Sequence, residues 1–169
     1  MVGSSGREKA VSVVVSLGSN VGDRRLALRR GVRALSGIID LVRISSVYET
    51  NPLEAPRGSL SFLNLVVAGS TRLPVDELME RLLEIERRLG RRRGVRNAPR
   101  SIDLDIILYG AFLLARRELT VPHPRYRQRE FVLAPLREME LPWSDPATGQ
   151  RLRSLPPGAG EVRLRGRLW

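Results

Sequence analysis

The sequence predicts an α+β domain: an antiparallel sheet with two helices packed on one of its faces. Three observations carry that prediction. Apolar stretches with the period-two pattern of strands are interleaved with two apolar stripes of helical spacing. The chain has 169 residues, enough for one domain with a substantial core. Its composition, 42% hydrophobic and 28% charged, is that of a globular chain, and no apolar run approaches the roughly 18 residues of a membrane span.

Residues 1–10 have no apolar stretch of the kind a signal peptide needs and read as a flexible tail before a single domain over 11–169. "SVVVSLGSN" (12–20) is a buried strand stopped by Gly18-Ser19-Asn20. Asn20 is placed to cap the next helix, with Asp23 in its first turn. Leu28, Val32 and Leu35 line that helix and Gly37 ends it. "LVRISSVYET" (41–50) alternates as a second strand, "NPLEAPRGSL" (51–60) is too rich in proline and glycine for an element, and "SFLNLVVAG" (61–69) is a third strand. Pro74 opens a second helix with the stripe Val75, Leu78, Leu82, Ile85, Leu89 and a C-terminal Gly90. "RSIDLDIILYG" (100–110) is the fourth strand. Strand, helix, strand, strand, helix, strand is the ferredoxin-like split βαβ order, with both helices on one face and the other face free for a ligand. C-terminal additions follow: a turn back through "ELTVPHP", a short helix in "REFVLAPLREME" interrupted by Pro135, and "EVRLRGRL" as an edge strand.

The fourth strand poses the functional question. Ile102, Leu104, Ile106 and Leu108 point one way; Asp103 and Asp105 point the other, with Ser101 and Ile107. Two carboxylates on one strand face repel each other and gain nothing from packing. They suit a hard divalent cation that fills its remaining positions with water and phosphate oxygens, or else they pair with arginines of the preceding loop. That loop is strongly basic: seven arginines and no acid lie between Arg87 and Arg100. It can hold a polyphosphate while a metal bridges its oxygens. On the third strand Phe62 and Asn64 share the aspartate face, and a buried amide there must find partners. His123, the sole histidine, lies in a second basic cluster with Arg125, Arg127 and Arg129, close to Phe131.

The net charge of +11 points to an anionic partner, although Lys9 is the sole lysine and part of the arginine excess fits a codon bias. Without cysteine there is neither a disulfide framework nor thiolate chemistry, and a cytoplasmic address is the default. A ferredoxin-like nucleic-acid module is the competing reading. Such modules stack bases on sheet aromatics; here aromatics are 5% of residues and two aspartates would repel a phosphate backbone.

"LGSNVGDR" (17–24), "SSVYETNPL" (45–53), "FLNLVV" (62–67), "LLEIERRLGR" (82–91), "APRSIDLDIILYG" (98–110) and "LTVPHPRYRQREFVLAPL" (119–136) together closely resemble the 6-hydroxymethyl-7,8-dihydropterin pyrophosphokinases of folate biosynthesis. The resemblance implies Mg²⁺-dependent transfer of diphosphate from ATP to the pterin hydroxymethyl group, with release of AMP. It implies Asp103 and Asp105 as ligands of two Mg²⁺ ions, and Arg91 and Arg100 as catalytic arginines that also contact ATP. Thr50, Leu53, Phe62, Asn64 and Phe131 would form the pterin site. Glu86, Ile106, His123 and Arg129 would lie on the ATP side. The implied partners are these two small molecules, with no nucleic acid or membrane, and a monomer is favoured. Three departures from the family pattern stand out: Asn97 where many members carry an aromatic, a slightly shorter arginine loop, and Leu83 where some have glutamine.

Overall fold

The computed structural model describes residues 9–51, 60–91 and 100–169. It is an α+β fold around one mainly antiparallel sheet. The elements are β1 (Val11–Ser19), α1 (Arg24–Leu35), β2 (Asp40–Ile44), β3 (Tyr48–Thr50), β4 (Phe62–Thr71), α2 (Val75–Arg88), β5 (Asp103–Tyr109), the short β6 (Leu114–Ala115) and β7 (Thr120–Val121), α3 (Glu130–Glu138) and β8 (Val162–Leu164). The sheet runs β5-β1-β4-β3-β8, with β2 also on β4, while β6 and β7 form a separate two-stranded ladder. The expected second strand is therefore two, because Ser45–Val47 leaves the ladder between them.

One face of the sheet meets α1 and α2. Val13, Val15 and Leu17 of β1 and Leu63, Leu65 and Val67 of β4 pack there with Leu28, Val32, Leu35, Leu78 and Leu82. The helices take their predicted stripes and α2 starts at Pro74 as expected, but the cap of α1 differs. Asp23, not Asn20, caps α1: its carboxylate accepts from the Leu26 amide at 2.9 Å. Asn20 is drawn away to Arg100, as described below.

The opposite face, expected from the sequence to be free for a ligand, is largely covered. Val14, Val66, Ala68, Ile107 and Leu108 on that side are covered by Val132, Leu133 and Leu136 of α3 and by Tyr126, Leu152 and Leu155. Leaving those apolar side chains in water would cost on the order of 1.5–3 kcal/mol each, so the C-terminal part folds over them. α3 runs through Pro135 without a break; the amide that proline lacks would have bonded to Phe131, near the helix start. Leu108 also lies on this face rather than with Ile106. A bulge between Val14 and Val15 of β1 leaves Ile107 as an extra residue on β5 and turns the remainder of that strand over.

The end of the chain is built in. β8 pairs with β3, Arg25 and Arg29 of α1 donate to the carbonyls of Arg165, Arg167 and Leu168, and Leu168 is buried in the helix-side core. Among the described residues, the polar residues singled out above lie at one end of the second face, beyond this apolar cover.

Candidate active site

Three neighbouring strands bring the polar residues together by register. Gly18 of β1 lies opposite Asn64 of β4 on one side and Asp103 of β5 on the other; one step along, Ser16 lies opposite Asp105. A side chain at 18 would crowd the face. A Cβ there would stand 3.1 Å from Asn64 Oδ1 and 3.7 Å from the Phe62 ring. Glycine inside a strand marks such a close approach, and Gly18 lies within β1 rather than stopping it.

Asp103 is held between two arginines. Its Oδ1 lies 2.7 Å from Arg91 Nη1 and its Oδ2 2.8 Å from Arg100 Nη1. Local structure aims both. Gly90 has φ +89°, and the last turn of α2 closes with Gly90 N–H on the Arg87 carbonyl and Arg91 N–H on the Glu86 carbonyl. This is a Schellman ending, and it turns the chain at Arg91 back toward the strand. On the other side Arg100 N–H donates to Asn20 Oδ1 at 2.7 Å, and Asn20 N–H donates to the Arg100 carbonyl at 3.2 Å. Asn20 thus pins the entry to β5 against the end of β1, a role sequence reasoning missed.

Glu86 lies beneath this pair and is 2% exposed. Its Oε1 accepts from the Leu104 amide at 2.7 Å and from Arg91. Burial pushes its carboxyl up to about 7, against the Leu104 amide and Arg91, which favour the ionised form. It therefore supports Arg91 and β5 from below.

Asp105 differs from Asp103. Among the described residues its carboxylate makes no hydrogen bond or ion pair, and burial together with the charge of Asp103 raises its pKa, while Arg129, Arg91 and Arg100 act the other way. Of the two sequence expectations for the aspartates, pairing with the flanking arginines describes Asp103 and leaves Asp105 open. Among the described residues no group of three or more acids or histidines forms a complete cation cage. Two carboxylates that repel each other in a half-buried site nevertheless suit a cation that completes its shell with water and ligand oxygens.

The far wall comes from the segment after β7. His123 N–H donates to the Ile107 carbonyl at 2.9 Å, which lays this segment along β5. The imidazole Nδ1 accepts from the Arg125 amide at 3.2 Å. Burial, with Arg129 and Arg125 adding to it, lowers the His123 pKa to about 4, so the ring is neutral at pH 7. Its remaining ring nitrogen is then an N–H donor. Arg129 lies over the Phe131 ring at 5.5 Å; burial works against its charge and Asp105 and Asp103 support it.

Asn64 is 3% exposed, and its amide donates to Thr50 Oγ1 at 2.9 Å. Thr50 pairs with Phe62 across β3 and β4, so three of the expected pterin-site residues share one corner. Leu53 and Asn97 lie outside the described residues. The Ile106 side chain is buried among the residues facing α1 and α2, which leaves its main chain to face a ligand on the aspartate side. Leu83 is half-buried on α2.

A carboxylate pair faced by arginines at one end of an antiparallel sheet is an arrangement chemically suited to a cation and a polyphosphate. Comparison with known proteins agrees. Residues 14–141 match the family described as 7,8-dihydro-6-hydroxymethylpterin-pyrophosphokinase, and the chain belongs to that family of diphosphate-transferring enzymes of folate biosynthesis. It is 43% identical over 127 residues to a 2-amino-4-hydroxy-6-hydroxymethyldihydropteridine pyrophosphokinase of Bacillus subtilis, covering 74% of this chain and 75% of that one. The Aquifex aeolicus protein of the same name is 33% identical over 146 residues, covering 86% and 91%. A mitochondrial folate synthesis bifunctional protein of Arabidopsis thaliana is 44% identical over 128 residues, but the chain spans only 22% of it. Among solved structures, wild-type HPPK-DHPS of Plasmodium falciparum superposes with a TM-score of 0.67 at 14% identity, covering 89% of this chain and 44% of that one, a likeness of fold.

Proposed function

We propose that the chain transfers diphosphate from ATP to the hydroxymethyl group of 6-hydroxymethyl-7,8-dihydropterin in the cytoplasm, acting with Mg²⁺. The observation that carries this reading is the pairing of Asp103 and Asp105 on one strand face with Arg91, Arg100 and Arg129 around them. The antiparallel order β5-β1-β4-β3 and the helix placement support reading the scaffold as a ferredoxin-like split βαβ unit with C-terminal additions.

The pterin hydroxyl oxygen attacks the β-phosphorus of ATP. A new O–P bond forms, the bond from the β-phosphorus to the oxygen shared with the α-phosphate breaks, and AMP leaves while the hydroxyl proton passes to solvent. Such a transfer needs chiefly alignment and neutralisation of charge. Asp103 and Asp105 would hold the Mg²⁺ ions, two by family resemblance, whose charge offsets that of the phosphate oxygens. Arg91 and Arg100, released from Asp103, contact the phosphates, as do Arg129 and the N–H of neutral His123. Asn64 and Thr50 give the pterin edge its hydrogen-bonding partners, while Phe62 and Phe131 flank its ring. The Gly18 gap leaves room for that ring beside the carboxylates. Glu86 acts from below through Arg91, which refines its expected place among the ATP contacts.

Purified protein incubated with ATP should release AMP only when the pterin and Mg²⁺ are both present. Release of ADP, or no turnover, would refute the reading. Asp105→Asn, folded by circular dichroism, should lower the rate by at least ~100-fold.

A further inference from the structure

The family match ends at residue 141, yet the segment beyond it is fastened to the turn that bears His123 and Arg129. Asp145 is fully buried, with 0% exposure. Its Oδ2 accepts from Tyr126 Oη at 2.6 Å and from Arg127 Nε; its Oδ1 accepts from Arg127 Nη2 at 2.6 Å and from the Ala147 amide at 2.9 Å. Burial alone would raise this carboxyl; the hydrogen bonds of Arg127, Tyr126 and Ala147 overcome that and hold it at about 2. A side chain that is ionised, buried and fully partnered makes a rigid anchor.

A second attachment lies further along. Gly158 N–H donates to Glu130 Oε2 at 2.8 Å, Ala159 N–H donates to the Gln128 carbonyl at 2.8 Å, and Glu130 N–H donates to the Ala159 carbonyl at 3.1 Å. These bonds straddle Arg129, whose backbone bridges Ala159 in parallel. The approach is close enough that a Cβ on Gly158 would come within 2.8 Å of the Gln128 carbonyl carbon and 2.9 Å of the Arg129 and Glu130 amide nitrogens. Those contacts are with backbone, which cannot step aside as a flexible side chain would.

We propose that Asp145 and the Gly158–Ala159 strap are positioning residues for the phosphate site, which set the backbone from 126 to 130 and through it the Arg129 guanidinium. The inference rests on the reading of Arg129 as a phosphate contact. It gives the C-terminal segment, outside the matched family region, a part in ATP binding without touching ATP.

The test is calorimetric binding of α,β-methylene-ATP with Mg²⁺, whose α–β link cannot break, to full-length Asp145→Asn, Gly158→Ala and Arg129→Ala, with thermal unfolding alongside. Each strap variant, while folded, should weaken binding on the order of ten-fold, because displacing a ligand-holding group by a fraction of an ångström is costly. Arg153→Ala, an exposed change in the same segment, should not. The decisive reading is the double variant: on an Arg129→Ala background the strap substitutions should cost little more, since their effect passes through Arg129. Full additivity there would overturn the proposal, as would folded strap variants that bind as the parent does. If Arg129→Ala itself binds normally, the phosphate-contact reading falls too, which separates the two failures. Should Gly158→Ala not fold, Asp145→Asn carries the same cycle, with Glu130→Gln beside it, which neutralises the carboxylate that receives both the Gly158 amide and Arg137.

Discussion

Replacing Glu86 by glutamine tests how the base of the site balances burial against charge. The side chain is 2% exposed and its carboxyl is raised from 4.5 to about 7, burial outweighing the Leu104 amide and Arg91. The folded state therefore holds this proton more tightly than the unfolded chain does. A carboxyl raised in this way contributes its full stability below pH 4.5 and loses it progressively as pH climbs to about 7. At about 1.4 kcal/mol per pH unit across that window, the parent protein should lose ~3 kcal/mol that the glutamine variant keeps. Glutamine retains an oxygen for the Leu104 amide, so the ladder at β5 survives. The assay is urea unfolding of both proteins at pH 5 and pH 8, with the difference of differences cancelling every other titrating group. Because pH 5 already lies inside the window, the gap between variant and parent should move by ~2.5 kcal/mol in favour of the variant at pH 8. A change below ~1 kcal/mol, or one of opposite sign, would mean that Arg91 keeps Glu86 ionised throughout, and the reasoning would fail.

Two further predictions concern the walls of the site. Gly18→Ala should leave the fold intact but weaken pterin binding by roughly ten-fold, since its Cβ would stand 3.1 Å from Asn64 Oδ1 and displace the amide; isothermal titration with the pterin reads this directly, and unchanged affinity would refute it. His123, as the sole histidine, gives a single set of imidazole resonances, which should stay unshifted from pH 8 to about 5 and move near pH 4. Since its folded pKa lies below 6.5, its contribution to stability should be lost as pH falls from 6.5 toward 4; a midpoint near 6.5 in the folded protein would contradict the burial argument.

Several parts of the site were legible because their signal is local. The period-two pattern placed Asp103 and Asp105 on one face of β5 and away from Leu104, where the structure has them. The helix stripes and the glycine closing α2 likewise depend on near neighbours, and Gly90 does adopt the left-handed conformation. Asn64 announced itself as an amide inside an apolar strand, and its buried hydrogen bond to Thr50 answers that.

Other features are decided by contacts between distant segments, which no local pattern encodes. A carboxylate or amide near a helix start caps it unless a better partner lies elsewhere; Asn20 found the backbone of Arg100, 80 residues away, and left the cap to Asp23. Strict alternation put Leu108 with Ile106, but a bulge set by pairing with β1 moved it to the other face. Periodicity within a strand shows that two faces exist, not what covers each, so the sheet face expected to be open is largely closed by α3 and the chain beyond it. The anchoring of Arg129 by Asp145 and Gly158 belongs to the same class. The sequence by itself determined which residues carry charge and on which side of their own strand they stand. Tertiary structure alone decided which charges meet, because pairing and burial are settled between segments far apart along the chain.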